Sequence, residues 1–191
     1  MTVTASYTGQ LLNVASLARD VGISAPTAER WLSILVTSNI IYLLRPYSNN
    51  ITKRTVKTPK LYFLDTGLAA YLTRWNTADV LKNGAMAGAF FETFILSEII
   101  KSYYNNGVLD LPIYFYRDKE MNEIDFLIES NGIIYPLEIK KHADPNKRDI
   151  SAFALLDKIP NIERGSGGVI CMYDTLISLK DQDKVIPVKY L

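Results

Sequence analysis

The chain is short of three things: it has one cysteine, one histidine and a net charge of only +1. A single thiol excludes an intramolecular disulfide framework, and Cys171, inside the apolar run 169–172, suits a reducing, intracellular setting. One His with one Cys rules out a zinc finger. Near-balanced charge means that contact with nucleic acid has to rest on local basic patches rather than on bulk attraction. Long hydrophobic runs are missing as well. The greasiest stretch, 84–100, is interrupted by Glu92 and Glu98, so no membrane span is expected. No secretory signal opens the chain, and a cytoplasmic protein is expected. There is no internal repeat and no low-complexity run.

What is present is an ordinary globular composition. With 191 residues, 48% of them hydrophobic and 21% charged, the chain can bury the core of one large or two small domains. Residues 11–44 read as helices. Gly22 makes a turn, Ser24 follows as an N-cap, and Pro26 sits in the first turn of a second helix. On that helix Ala28, Trp31, Leu32 and Leu35 recur at helical spacing and are expected to face inward, leaving Thr27, Glu29, Arg30 and Ser33 outward. This is a helix-turn-helix pattern. An apolar run at 40–44, a polar segment 48–58 with Lys53, Arg54 and Lys57, and a second apolar run at 60–64 read as strand, basic loop, strand, which is a wing. Winged helices lay the second helix in the DNA major groove while the basic wing touches phosphate, so Thr27, Arg30, Ser33, Lys53, Arg54 and Lys57 are the candidate DNA contacts. Protein docking or dimerisation is the competing use, and Glu29 on the outward face favours it mildly. Asp65-Thr66-Gly67 caps a short helix over 68–72, and 74–83 is polar enough for a linker.

From Gly84 the pattern changes. A long, mostly apolar helix is expected over 85–104, strands over 113–117 and within 123–139, an amphipathic helix over 150–158 ended by Pro160, and strands near 168–173 and 185–188. That order suits a mixed sheet flanked by helices. The expectation for the whole is α/β, or α+β: a winged helix-turn-helix domain over 1–75, a linker over 76–84 and a mixed-sheet domain over 85–191.

The most informative feature lies between Asp125 and Glu138-Ile139-Lys140. Asn131-Gly132 is a strong two-residue hairpin signal between two β-type runs. With that turn, Ile128 faces Tyr135, Phe126 faces Leu137, Asp125 faces Glu138 and Glu123 faces Lys140. One face is then apolar, with Ile124, Phe126, Ile128, Ile133, Tyr135, Leu137 and Ile139. The other carries Asp125, Glu138 and Lys140 beside Leu127, Ile134 and Pro136. Opposed side chains in such a ladder have Cβ atoms roughly 4.5 to 5.5 Å apart, where like charges repel. A divalent cation on oxygen ligands would compensate, with Lys140 offsetting part of the remaining charge. A solvated face with Asp125 paired to Lys140 is the plainer alternative. The charges gather at the end away from the turn, which places them in a cleft or at a rim.

Glu92 shares a helical stripe with Ile95, Leu96 and Ile99. A buried carboxylate is costly without a partner, and the hairpin end, Arg117, water or a backbone amide could supply one. His142, just beyond Lys140, could contact phosphate or shuttle a proton, although a surface His at a strand end is commoner.

In this order, Glu92 on the first helix, Asp125 on the second strand and Glu138-x-Lys140 on the third resemble the core of the PD-(D/E)xK, or restriction-endonuclease-like, superfamily. A closer resemblance covers nearly all the chain. Tyr7-Thr8-Gly9-Gln10-Leu11-Leu12-Asn13, Lys57-Thr58-Pro59-Lys60-Leu61-Tyr62-Phe63-Leu64-Asp65-Thr66-Gly67-Leu68, Gly88-Ala89-Phe90-Phe91-Glu92 and Glu123-Ile124-Asp125-Phe126 look like the C-terminal region of prokaryotic AAA-type ATPases that carry a C-terminal domain of unknown function. There the region follows a P-loop ATPase module. This chain has no Gly-x-x-x-x-Gly-Lys-Ser/Thr sequence, so it cannot bind ATP by that route. Gly165-Ser166-Gly167-Gly168 lacks the lysine and reads as an ordinary loop.

The resemblance implies that Asp125 and Glu138 hold Mg²⁺ or Mn²⁺, that Glu92 assists directly or through water, and that Lys140 positions the attacking water at a DNA phosphate. It equally allows the fold to serve for DNA or protein binding without catalysis. The expected partners are DNA, the ATPase module that this chain lacks and a second copy of the chain, with no membrane.

Overall fold

The computed structural model describes residues 1–48 and 57–191. Its chain divides into two compact units, Met1–Leu44 with Thr58–Glu98, and Arg45–Lys57 with Ile99–Leu191. Helices and a mixed sheet make it an α/β chain.

The first unit contains α1 (Thr2–Ala5), β1 (Gln10–Leu11), α2 (Val14–Val21), α3 (Ala25–Thr37), β2 (Ile41–Leu44), β3 (Lys60–Phe63), α4 (Thr66–Thr73), α5 (Ala78–Asn83) and α6 (Ala87–Asn105) as far as Glu98. Local chemistry sets its helix ends. Asn13 caps α2 by accepting from the Ser16 amide, and Gly22, at φ 78°, ends that helix in the left-handed region. The Ser24 hydroxyl accepts from the Thr27 amide at the start of α3, and Asp65 caps α4 through Leu68 N. β1, β3 and β2 form an antiparallel three-stranded sheet in which Leu44 lies opposite Lys60. Leu17, Ala28, Leu32, Ile41, Leu61, Phe63, Ala69 and Phe90 make the core.

Three expectations need correction or placing. Trp31 is not inside: Ala28 and Leu32 are buried and Leu35 is half-buried, but Trp31 is 53% exposed. The core takes the row of Ala28 and Leu32, and at about 100° per residue Trp31 points roughly 80° away from its centre. The expected linker over 76–84 contains α5, and the division between compact units falls at Glu98, because Phe90 and Thr93 at the start of α6 pack into the first unit. β2 and β3, the strands expected on either side of the basic segment, pair antiparallel, with Lys57 exposed, while Lys53 and Arg54 lie outside the described residues.

The second unit is built on a seven-stranded sheet: β4 (Ile113–Arg117), β5 (Glu123–Ser130), β6 (Ile133–Lys140), β7 (Glu163–Arg164), β8 (Gly168–Cys171), β9 (Ile177–Lys180) and β10 (Asp183–Pro187). The order is β4-β5-β6-β8-β10-β9, with β7 also beside β6. β4, β5 and β6 form an antiparallel meander, β6-β8 and β8-β10 are parallel, and β9 is antiparallel to β10. Beyond β4, Pro46 makes a parallel bridge to Phe115, with Tyr47 N donating to Phe115 O at 2.7 Å.

Asn131 and Gly132 turn β5 into β6 with φ of 53° and 79°, the paired positive values of a tight hairpin turn. Ser130 faces Ile133, Ile128 faces Tyr135 and Phe126 faces Leu137, which is the register the turn predicts. Pro136 has no N–H to give, and it falls in the gap on its other side between the β7 pairing at Ile133 and Ile134 and the β8 pairing from Leu137. The segment expected as an α-helix is a 3-10 helix, Ser151–Lys158. Its buried residues Ile150, Phe153 and Leu156 recur every three positions, which one face of a three-residue turn brings into line. They pack with Leu127, Ile134, Val169, Cys171 and Val185, covering the sheet face that carries the charges.

Candidate functional site

The β5-β6 ladder stops one step before the two carboxylates. Its last pair is Phe126 with Leu137, and beyond it the amide of Ile139 donates to Asp125 Oδ2 at 2.8 Å instead of to a strand carbonyl. The side chain of Asp125 thus stitches the opening between the strands. On its other side β6 remains held, Glu138 opposite Val169 and Lys140 opposite Cys171 in the parallel pairing with β8. Glu138 and Lys140 therefore sit on a firmly held strand, with Asp125 reaching across to it from β5.

Their electrostatics are tense. Glu138 is buried, with only 6% of its side chain exposed, and Asp125 is 15% exposed. Lys140 Nζ sits 2.6 Å from Glu138 Oε2 and 3.6 Å from Asp125 Oδ2. One lysine answers two acids. Burial, then the charge of Asp125, pushes the Glu138 carboxyl up to about 8 against the opposing pull of Lys140, and a hydrogen bond between the two carboxyl groups adds to the rise. At neutral pH Glu138 therefore keeps its proton, as an acid forced beside another acid is expected to do. Burial works against the charged form of Lys140, but the Asp125 and Glu138 carboxylates overcome it and hold the ammonium above its usual range.

A cation fits this chemistry. Two carboxylate oxygens on opposed strands are hard donors, and a divalent ion would supply the positive charge for which a proton now stands in. Among the described residues no group of three or more His, Cys, Asp or Glu side chains converges to hold a metal ion, so the protein would furnish two side-chain ligands at this cluster.

Glu92 is placed in the first unit, whereas Asp125, Glu138 and Lys140 belong to the second. Its partners are two the sequence did not suggest: Lys60 Nζ at 3.0 Å and the Tyr62 hydroxyl both donate to Glu92 Oε1. Lys60 and Tyr62 are buried on β3, where their spacing of two puts both on one face. A lysine and a tyrosine two apart in an otherwise apolar strand were the available signal. Arg117, the other partner considered, pairs with Glu123 at 2.9 Å. On α3, Arg30 and Ser33 are exposed, and half-buried Thr27 shares a hydrogen bond with the Ser24 hydroxyl at 2.8 Å. Both ring nitrogens of His142 are engaged: Nε2 lies 3.5 Å from Asp149 Oδ1 and Nδ1 accepts from the Asp144 amide at 3.3 Å.

A family model described as a domain of unknown function (DUF8612) matches residues 1–79, and a second, also a domain of unknown function (DUF4143), matches residues 87–191. Uncharacterised proteins of Mycobacterium bovis and Mycobacterium tuberculosis are each 33% identical over 156 residues, which is 82% of this chain and 34% of theirs. The chain thus spans about a third of the length of these curated relatives. No solved structure matches it. No helix among the described residues is long and apolar enough to cross a membrane.

Proposed function

The chain belongs to the DUF4143 family, and from that premise we propose that it is a DNA-acting module of an ATPase-associated protein, a winged helix followed by a restriction-endonuclease-like domain that hydrolyses phosphodiesters with a divalent cation. Domains of this family are common in proteins associated with AAA-type ATPases, which supports the setting. The observation that carries the reading is the buried pair Asp125 and Glu138, short of positive charge and flanked by Lys140. Asp125 and Glu138 are the residues that would hold Mg²⁺ or Mn²⁺, which supplies Lewis-acid activation of the phosphate and of water. The chain's own part is to position. Asp125 keeps Oδ2 on the Ile139 amide, fixing its carboxylate against β6. Glu138, which holds its proton up to about 8, would ionise to hold such an ion. Lys140, then less tightly bound to Glu138, can donate to a phosphoryl oxygen and orient the attacking water.

The purified chain is expected to cut a DNA duplex in Mg²⁺ or Mn²⁺ and not in EDTA, and Asp125→Ala to abolish that cutting at temperatures where the variant, which loses the acceptor of the Ile139 amide, is still fully folded. Cleavage that survives the substitution would remove the assignment.

A second reading, a non-catalytic docking module of an ATPase, draws support from α3. Trp31 and Ile34, 53% and 61% exposed, line an apolar hollow of about 350 Å³ with Val21, Ile23 and Leu35. An apolar helix face suits protein better than phosphate. DNA affinity that is weak and hardly varies with salt would favour it.

A further inference from the structure

We propose that the loop 141–149, which follows β6, is a contact surface for the phosphate backbone of DNA, with Lys147 and Arg148 as its principal cations; this rests on the reading that the neighbouring Asp125–Glu138–Lys140 cluster acts on DNA. The loop is shaped. Asp149, only 11% exposed, faces inward: its Oδ2 accepts from the Asn146 amide at 2.8 Å and its Oδ1 meets His142 Nε2. Asn146 Oδ1 in turn accepts from the Arg148 amide at 3.0 Å. At its start the loop is tied to the end of β8, where Met172 N donates to His142 O at 3.2 Å, and at its end Ile150 is buried in the core. The fixed loop turns Lys141, Lys147 and Arg148 to solvent. Neither Lys147 nor Arg148 makes an ion pair among the described residues.

Two things point this surface at a polyanion beside the site. The loop leaves directly from Lys140, and the Asp149 carboxylate is near enough for its charge to act on the Lys140 ammonium. The site itself sets one lysine against two acids and so offers phosphate no net positive charge, which the adjacent cations supply. Mobile surface lysines need no buried carboxylate to hold them. Here the Asp149 carboxylate, holding the Asn146 amide and facing His142, keeps the loop backbone in one form. His142 is accordingly a latch on the loop, its two ring nitrogens facing Asp149 and the Asp144 amide.

The test is anisotropy of a short fluorescein-labelled DNA duplex titrated with the full chain in EDTA over a range of salt, together with calorimetry of Mn²⁺ binding. Lys147→Ala with Arg148→Ala is expected to lower duplex affinity at least about tenfold near physiological salt and to flatten the slope of log K against log salt by about two, while leaving Mn²⁺ binding unchanged. Asp149→Asn separates shape from charge. It makes the chain more positive, so charge alone would tighten binding, whereas loss of the latch weakens it. Unchanged affinity and slope in the double variant, or tighter binding by Asp149→Asn, overturns the loop assignment. Mn²⁺ binding that depends on Asp125 would then leave the cation site standing. Duplex binding that depends on the loop in a chain that binds no Mn²⁺ sinks the cation site and keeps the loop.

Discussion

Glu138→Gln is expected to make the protein more stable at alkaline pH and unable to hold Mn²⁺, two effects of opposite sign from one atom. The unfolded chain ionises Glu138 near its ordinary value of 4.5, whereas the folded chain keeps the proton until about 8. Between those values the native state binds more protons than the unfolded one, so stability falls as pH rises and the whole penalty applies above about 8. Glutamine imitates the protonated form and pays none of it. At pH 9 the variant should melt several degrees above the parent, in keeping with a penalty on the order of a few kcal/mol and roughly 2 to 4 °C per kcal/mol for a chain of this size. Below pH 5 the two should melt together. In the parent, on the proposed reading, Mn²⁺ would displace the Glu138 proton, so its affinity should climb with pH up to about 8 and each ion bound below that should release a proton. Glutamine removes the charge the ion needs, and affinity should drop at least about a hundredfold. Thermal melts across pH with and without Mn²⁺ read both effects. A variant no more stable than the parent at pH 9, or one that still binds the ion, would mean that the two carboxyls are not competing for one positive charge.

That site could be read from the sequence because its geometry is local. Asn131 and Gly132 take the positive φ values of a tight turn, and once the chain reverses there, every opposed pair from Ser130 to Phe126 follows by counting. The opening of the ladder at Asp125 could not be counted. It depends on an aspartate oxygen outcompeting a backbone carbonyl for the Ile139 amide, a contest that periodicity does not register. Partners of Glu92 were hidden for another reason. Lys60 and Tyr62 lie 32 and 30 positions away on a different strand, and a pattern of burial says only that a carboxylate needs company, not whose. Trp31 was misplaced because a helical stripe has a centre and two edges, and the period does not tell which edge meets the core. The parallel pairings of β8 with β6 and β10 have no short-range signature at all.

Asp183 anchors the start of β10 in those parallel pairings, and Asp183→Ala is expected to cost the second unit roughly 3 to 5 kcal/mol. Asp183 is 3% exposed, and its Oδ1 takes the Gly167 amide at 2.7 Å and Arg164 Nη1 at 2.8 Å. Truncation would leave a buried N–H with no acceptor and a guanidinium, 14% exposed, with the exposed carboxylate of Asp157 and the Gly165 carbonyl as its remaining partners. Nothing can fill the space from the other side. A Cβ at Gly167 would stand 2.5 Å from the Phe153 ring, so the segment 165–168 has no slack to rearrange. Asp183→Asn keeps an acceptor for the amide and should lose markedly less. The effect reaches the site through one strand: Gly168 opens β8, whose Val169 lies opposite Glu138. Mn²⁺ affinity in Asp183→Ala should therefore fall as the temperature approaches its lowered melting point and be near normal well below it, whereas Asp125→Ala should abolish binding at every temperature. A calorimetric series over temperature separates a residue that holds the strand from one that would hold the ion. Equal losses in both at low temperature would place Asp183 in the cation site instead.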